Sequence, residues 1–113
     1  MKRLFLDDIR NPIDCLIYMD NPVYHEEWDI VRNYDDFVKY ITENGIPDEI
    51  SFDHDLGDDT VGTGYDVARY IEERCFNFGC ECPVWNVHSA NPVGRKNIEA
   101  AMMAAEKYSK EKY

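Results

Sequence analysis

A short apolar run that ends in charged side chains, residues 50–57 (ISFDHDLG), constrains the fold of this chain more than any other feature. A run of this length is typical of a buried strand, and the glycine after the charged residues is typical of the turn that ends it. A buried carboxylate without a partner costs on the order of several kcal/mol. Asp53 and Asp55 therefore need a cation, hydrogen-bond donors or solvent at the point where the strand ends.

Two other apolar runs also end in polar side chains. The first reaches Asp7 and Asp8, and a later one reaches His88 and Ser89. Parallel strands of one sheet bring their carboxyl ends to the same edge, and open α/β folds bind ligands at that edge. The sequence therefore predicts a site where carboxylates, an imidazole and a hydroxyl meet.

The rest of the chain alternates short apolar runs with amphipathic segments. We predict strands over 3–7, 28–32, 49–53 and 84–88, helices over 34–44, over 65–77 and from residue 92 onward, and either a short helix or an irregular excursion over 13–27. This alternation predicts an α/β fold in which a parallel sheet with right-handed crossovers carries helices on both faces. The charged tail over 106–113 is predicted to be a frayed, solvated helix end.

Cap residues support these helix boundaries. Asn33 and Gly45 are predicted to cap the helix that lies between them, and Asn91 with Pro92 to open the last helix. Residues 57–64 are rich in glycine and short polar side chains, which predicts a loop directly after the proposed site.

Length and charge limit the protein class. We expect one domain over residues 1–113, because this length buries one core but does not hold two. Asp and Glu outnumber Lys and Arg by 23 to 12, for a net charge of -11, so we expect no duplex nucleic acid as a partner. No apolar stretch approaches the ~20 residues that span a bilayer. No signal-peptide pattern is visible either, so we expect no membrane partner and a cytoplasmic location.

The four cysteines have no strong metal-site spacing. The near pair, Cys80 and Cys82, has one intervening residue, whereas zinc sites usually have two or more. Reduced and mostly buried thiols are favoured over a zinc or redox role.

The three strand ends together resemble the response-regulator receiver domain, a flavodoxin-like fold. In that family an acidic pair holds magnesium, a single aspartate accepts a phosphoryl group, and a hydroxyl contacts it. The resemblance assigns these roles to Asp7 and Asp8, to Asp53, and to Ser89. It also implies a sheet order of 2-1-3-4. The family's fifth strand, which ends in a lysine, has no counterpart after the last predicted helix, so we expect a truncated, four-stranded sheet.

Additional site residues narrow the resemblance. Residues 6–12 (LDDIRNP), 52–57 (FDHDLG) and 88–94 (HSANPVG) are similar to motifs of the cyclic-phosphate processing receiver domains. The similarity extends over nearly the whole chain. It implies processing of a cyclic phosphate in RNA repair or nucleotide signalling.

The residues at the predicted site have the chemistry that opening a cyclic phosphodiester requires. An imidazole side chain exchanges protons near neutral pH, so His54 and His88 are candidates for general base and general acid beside Asp53. Mg²⁺ is the expected cofactor, because carboxylates are its preferred protein ligands. The predicted metal ligands are Asp7, Asp8, Asp53 and Asp55.

Phosphate binding is predicted at cations and at the start of the last helix, where backbone N–H groups favour an anion. The predicted phosphate-binding residues are Arg10, Ser89, Asn91, Arg95 and Asn97. Simpler roles remain open for several residues at this site. Either histidine could serve only as a structural hydrogen-bond partner, and Ser89 with Asn91 could serve only as a helix cap.

Three functional hypotheses follow. The favoured one is a metal-dependent cyclic phosphodiesterase that acts on an RNA 2',3'-cyclic end or a cyclic nucleotide. The alternatives are a non-catalytic receiver-like module that binds a phosphorylated small ligand or a protein, and a phosphoacceptor receiver domain modified on Asp53. An unpaired sheet edge also suggests a homodimer.

Overall fold

The structure, a computed structural model, describes residues 2–19, 21–53, 62–78, 82–89 and 91–112. Its strands are β1 (Arg3–Leu6), β2 (Asp29–Val31), β3 (Glu49–Phe52) and β4 (Val84–Val87). Its helices are α1 (Pro12–Met19), a 3-10 helix (Pro22–His25), α2 (Tyr34–Asn44), α3 (Gly64–Phe78) and α4 (Pro92–Lys112). All strand pairs are parallel, in the order β2-β1-β3-β4. The predicted receiver-like α/β fold and its 2-1-3-4 order are confirmed.

The larger core lies on one face of the sheet. Successive side chains of a strand point to opposite faces, so alternate positions of β1 and β3 share a face. Leu4, Leu6, Ile50 and Phe52 are fully buried there. They pack in one cluster with buried residues of α2, α3 and α4, among them Ile98, Ala101, Met102 and Ala105 of α4.

The second face is covered by the segment that the sequence left undefined. Residues 13–27 form most of α1, the 3-10 helix and the link to β2. Phe5 of β1 packs there with Cys15 and Tyr24, and Leu16, Val23 and Trp28 pack against them. The segment therefore covers the sheet beneath the site.

The predicted caps of α2 are present. The side chain of Asn33 accepts a hydrogen bond from the backbone N–H of Asp36 at 2.8 Å, and the helix runs over the predicted residues. Gly45 has a φ of 79°, a left-handed value that favours glycine, and its N–H donates to the carbonyl of Ile41.

The predicted tail is helical, and α4 continues to Lys112. The expectation of a frayed, solvated end is wrong at Glu106 and Tyr108. The indole of Trp85 donates a hydrogen bond to Glu106, and the ring of Tyr108 packs against Phe76 with centroids 5.0 Å apart. These contacts with β4 and α3 hold this turn of the helix on the domain.

In the part of the chain that the structure describes, Cys15, Cys75 and Cys82 form no disulfide, and Cys80 lies outside that part. Burial raises the pKa of Cys15 to about 11, so this thiol stays protonated. Among the helices that the structure describes, none is both long and apolar enough to cross a bilayer.

Replacing Asn33 with alanine tests the cap of α2. We expect Asn33→Ala to lower the free energy of unfolding by ~1 kcal/mol, because the N–H of Asp36 loses its side-chain acceptor. Urea unfolding followed by circular dichroism measures the change. Asn33→Ser, which keeps an acceptor oxygen, is expected to retain most of the stability. Equal losses in both variants would contradict the capping role.

Candidate metal and phosphate site

Three carboxylates meet at the carboxyl edge of the two central strands. Asp7 follows β1 directly, Asp53 follows β3 directly, and Asp8 begins the loop after β1. One ligand oxygen from each lies within 4.8 Å of the other two. Asp7 and Asp53 are buried, with 1% and 7% of their surface exposed. The strand ends thus bring together three of the four predicted metal ligands, and Asp55 lies outside the described residues.

Asp7 is the most constrained of the three carboxylates. Its Oδ1 accepts hydrogen bonds from the backbone N–H groups of Ile9 and Arg10, at 3.0 and 2.8 Å. Its Oδ2 lies 3.0 Å from His88 Nε2. Burial alone would raise the pKa of Asp7, but the hydrogen bonds from His88, Arg10 and Ile9 outweigh burial and lower the pKa from 3.8 to about 2. Asp7 is therefore ionised at neutral pH.

Arg32, which follows β2, holds the loop that carries Asp8. Its guanidinium donates to the carbonyl oxygens of Asp7 and Arg10, at 3.2 and 2.5 Å, and to the side-chain oxygen of Asn11 at 2.6 Å. The planar fork of an arginine suits several acceptors at once. Arg32 was not predicted from the sequence as a site residue. Its position directly after a strand, at the same edge as the aspartates, was the available signal.

His88, a predicted acid–base residue, lies behind Asp7 and is fully buried. Nε2 faces Asp7, and Nδ1 lies 2.7 Å from Ser51 Oγ. The imidazole stacks on the ring of Phe5, with centroids 4.6 Å apart and planes 3° from parallel. Both ring nitrogens thus have protein partners.

Two further polar residues continue from His88 into the domain. The Tyr24 hydroxyl lies 2.8 Å from Ser51 Oγ and 3.5 Å from Asn86 Oδ1. Neither Ser51 nor Tyr24 was predicted from the sequence as a site residue. Ser51 did carry a signal, since a hydroxyl in the middle of a buried apolar strand needs a hydrogen-bond partner.

At the start of α4, the described contacts of Ser89 and Asn91 are those of a helix cap. Ser89 Oγ accepts from the N–H of Asn91 at 3.1 Å, and Asn91 Oδ1 accepts from the N–H of Gly94 at 3.0 Å. These bonds satisfy N–H groups at the start of the helix, which is the simpler role that the sequence left open. Phosphate binding by the two residues stays a prediction.

The other predicted phosphate-binding residues, Arg10, Arg95 and Asn97, lie on two different parts of the fold. Arg10 is in the loop after β1, and its backbone N–H contacts Asp7 directly. Arg95 lies in the first turns of α4 and pairs with Glu99 at 3.5 Å. Asn97 lines a groove between α3 and α4. His54, the second predicted acid–base residue, lies outside the described residues, as do positions 57–61 of the predicted loop.

The donor set fits a hard divalent cation. Carboxylate oxygens are the preferred ligands of Mg²⁺ and Ca²⁺, whereas softer metals prefer histidine or cysteine. The ionised and buried Asp7 beside Asp8 and Asp53 forms a buried acidic cluster that could bind a metal ion.

A four-stranded parallel sheet with an acidic cluster at its carboxyl edge defines a receiver-like α/β domain. A family model described as the Cyclic-phosphate processing Receiver domain matches residues 2–104. The chain belongs to this family, as its motifs predicted. Comparisons with curated proteins and with solved structures gave no match.

The lowered pKa of Asp7 predicts a dependence of stability on pH. Its folded-state pKa is about 2 and its ordinary value is 3.8, so the stabilisation is fully present above pH 3.8 and is lost as the pH falls through 2. We expect the difference in unfolding free energy between wild type and Asp7→Asn to shrink by roughly 2 kcal/mol between pH ~5 and pH ~2. Urea unfolding in the presence of a chelator measures it. Glu43→Gln, an exposed change of equal charge, is the control, and a pH-independent difference for Asp7→Asn would contradict the assignment.

Removing the Arg32 guanidinium tests how the loop is held. We expect Arg32→Met to lower the unfolding free energy by ~1–3 kcal/mol, because two partly buried carbonyl acceptors lose a charged donor. We also expect faster hydrogen exchange at the amides of Ile9 and Arg10, measured by NMR. Arg69→Met, on the exposed face of α3, serves as the control. Unchanged exchange at both amides in Arg32→Met would show that the loop does not depend on this side chain.

Proposed function

We propose that this domain hydrolyses a cyclic phosphodiester, on an RNA 2',3'-cyclic end or a cyclic nucleotide, at a divalent-ion site formed by Asp7, Asp8 and Asp53. The observation that carries the proposal is the convergence of these carboxylates, which lie after two different strands and have ligand oxygens within 4.8 Å of one another. Membership of the cyclic-phosphate processing family supports the choice of substrate class. Asp55, which follows Asp53 closely in sequence, is retained as a fourth proposed ligand.

The reaction needs a water molecule and one proton transfer at each side of the phosphorus. The water oxygen forms a bond to phosphorus, one ring P–O bond breaks, and the departing oxygen takes a proton, which leaves a phosphate monoester. Mg²⁺, when bound, would polarise the phosphoryl oxygens and offset their repulsion from this acidic surface. His54 is the proposed general base or acid, because an imidazole exchanges protons near neutral pH. The engaged nitrogens of His88 leave it less suited to that role.

Phosphate orientation is proposed to depend on the groups around the carboxylates. Arg10 is the favoured cation, because its own backbone N–H is fixed by Asp7. A guanidinium there would make a bidentate contact with a phosphoryl group. Ser89 and Asn91 are proposed to contribute at the start of α4. Arg95 and Asn97, further along the same helix, are the outer members of the proposed set.

The buried position of His88 favours one alternative. A domain whose second histidine has both nitrogens bonded within the protein has fewer groups for proton transfer. Such a domain is better suited to holding a phosphorylated ligand than to cleaving it. The non-catalytic module is therefore the second candidate function.

Ion binding and turnover separate these functions. We expect calorimetry to show Mg²⁺ binding to the wild type. Asp53→Asn is expected to lose at least ~10-fold in Mg²⁺ affinity, because a ligand is lost. Glu43→Gln, which removes an equal charge on α2, is expected to lose none. We expect His54→Ala to bind the ion but to lose hydrolysis of 2',3'-cyclic nucleotides, followed by phosphate-ester chromatography.

Each other result has a defined meaning. Ligand binding by the wild type without turnover would support the non-catalytic module. A phosphoryl group gained on Asp53 from a small phosphodonor, detected by mass spectrometry, would support the phosphoacceptor hypothesis. Equal Mg²⁺ affinity in wild type and Asp53→Asn would contradict the proposed ion site.

A further inference from the structure

A line of hydrogen bonds extends from the acidic cluster into the core on the second face of the sheet, which α1 covers. It joins Asp7 Oδ2 to His88, His88 to Ser51, and Ser51 to the Tyr24 hydroxyl, at 3.0, 2.7 and 2.8 Å. All four residues are buried, with exposed fractions between 0% and 2%. Burying polar groups to this degree costs free energy of folding unless each group has a hydrogen-bond partner.

The direction of each bond follows when Asp7 is ionised and His88 is neutral. An ionised carboxylate only accepts, so His88 Nε2 must carry the proton that is donated to Asp7. In the neutral imidazole Nδ1 is then an acceptor, and Ser51 donates to it. Ser51 Oγ in turn accepts from the Tyr24 hydroxyl. The residues form a line of donors that all point toward Asp7.

Counting acceptor sites shows what this line leaves open on Asp7. A carboxylate has about four lone-pair sites, two on each oxygen. Oδ1 accepts from Ile9 and Arg10, which uses both of its sites, and Oδ2 accepts from His88, which uses one. Within the part of the chain that the structure describes, these bonds leave one site, on Oδ2, the oxygen that His88 contacts. The orientation of that site is therefore set by the imidazole.

Packing prevents the imidazole from turning away. Phe5 stacks on one face of the ring at 4.6 Å, and Tyr24 meets it edge-on with centroids 6.4 Å apart. Trp28 stacks against Tyr24 and donates its indole N–H to the carbonyl of Val23, which fixes the far end of the line. The orientation of the ring is thus determined by the aromatic side chains that pack on the second face of the sheet.

We infer that His88 is a positioning residue, held by Ser51 and Tyr24, that directs the remaining lone pair of Asp7 Oδ2 toward a divalent cation. Its contribution is the orientation of a ligand rather than a proton transfer to substrate. The inference rests on the proposed function, because it requires Asp7 to be an ion ligand. Partners of this kind around metal ligands typically change metal affinity by ~10–100-fold.

Three substitutions divide the line into separate contributions. His88→Phe keeps an aromatic ring against Phe5 but removes both hydrogen bonds. His88→Gln offers an amide N–H at the position of Nε2, so it restores the donor to Asp7 alone. Tyr24→Phe removes the outermost hydroxyl, with its bond to Ser51 and its 3.5 Å contact with Asn86 Oδ1, and leaves both bonds of His88 in place. Ile71→Val, which weakens packing in the core on the other face of the sheet, is the control for a general loss of stability.

The test is the affinity for Mn²⁺ and Mg²⁺, measured by calorimetry on the full chain, beside urea unfolding of each variant. We expect His88→Phe to lose ~10-fold or more in affinity, His88→Gln to regain most of it, and Tyr24→Phe to lose a smaller factor. Ile71→Val is expected to lose stability without losing affinity. If His88→Phe does not fold, the affinity of Tyr24→Phe relative to wild type decides.

Three results would overturn the inference, and the first two are distinguishable from each other. If the wild type binds neither ion, the proposed ion site fails and the positioning role fails with it. If the wild type binds and the folded His88 and Tyr24 variants bind equally well, only the positioning role fails. Affinity losses that follow unfolding free energy across all variants, Ile71→Val included, would also overturn it, because a merely structural role predicts that pattern.

Discussion

The structure of this site depends on the compensation of one buried charge, the carboxylate of Asp7. A desolvated carboxylate is unfavourable unless hydrogen bonds favour its ionised form. Asp7 receives such bonds from the loop at Ile9 and Arg10 and from His88. The donors belong to the chain after β1 and after β4, so the same bonds that stabilise the charge also tie these two segments together. The bonds that stabilise the charge at the site therefore also stabilise the fold.

The parallel register explains why one face of the sheet carries both an aromatic cluster and the polar line. Phe5 pairs with Ser51 in register, and Ser51 pairs with Asn86, so these positions share a face. Two residues further along β1 and β4, that face carries Asp7 and His88. The α1 segment covers it and excludes water, which strengthens the hydrogen bonds beneath the acidic cluster. The apolar cover thus has an electrostatic consequence.

Sequence patterns predicted the groups at strand ends far better than the groups behind them. Asp7, Asp8 and Asp53 were predictable, because an apolar run that stops at carboxylates has few other interpretations. The partners of Ser51 lie 27 and 37 positions away, and His88 is separated from Asp7 by 81. Contacts of that separation depend on how the elements pack. The role of Arg32, which bonds to a loop more than 20 positions earlier, depends on packing in the same way.

By itself, the sequence determined the order of elements, the helix caps and the strand ends at which polar side chains occur. These features depend on local backbone preferences and on the period of apolar residues, which a linear pattern contains. Only the tertiary structure decided that residues 13–27 cover the second face, that the last helix continues to Lys112, and that His88 lies behind Asp7. Those outcomes depend on which surfaces meet when the chain closes on itself, and burial and hydrogen bonding between distant residues select among them.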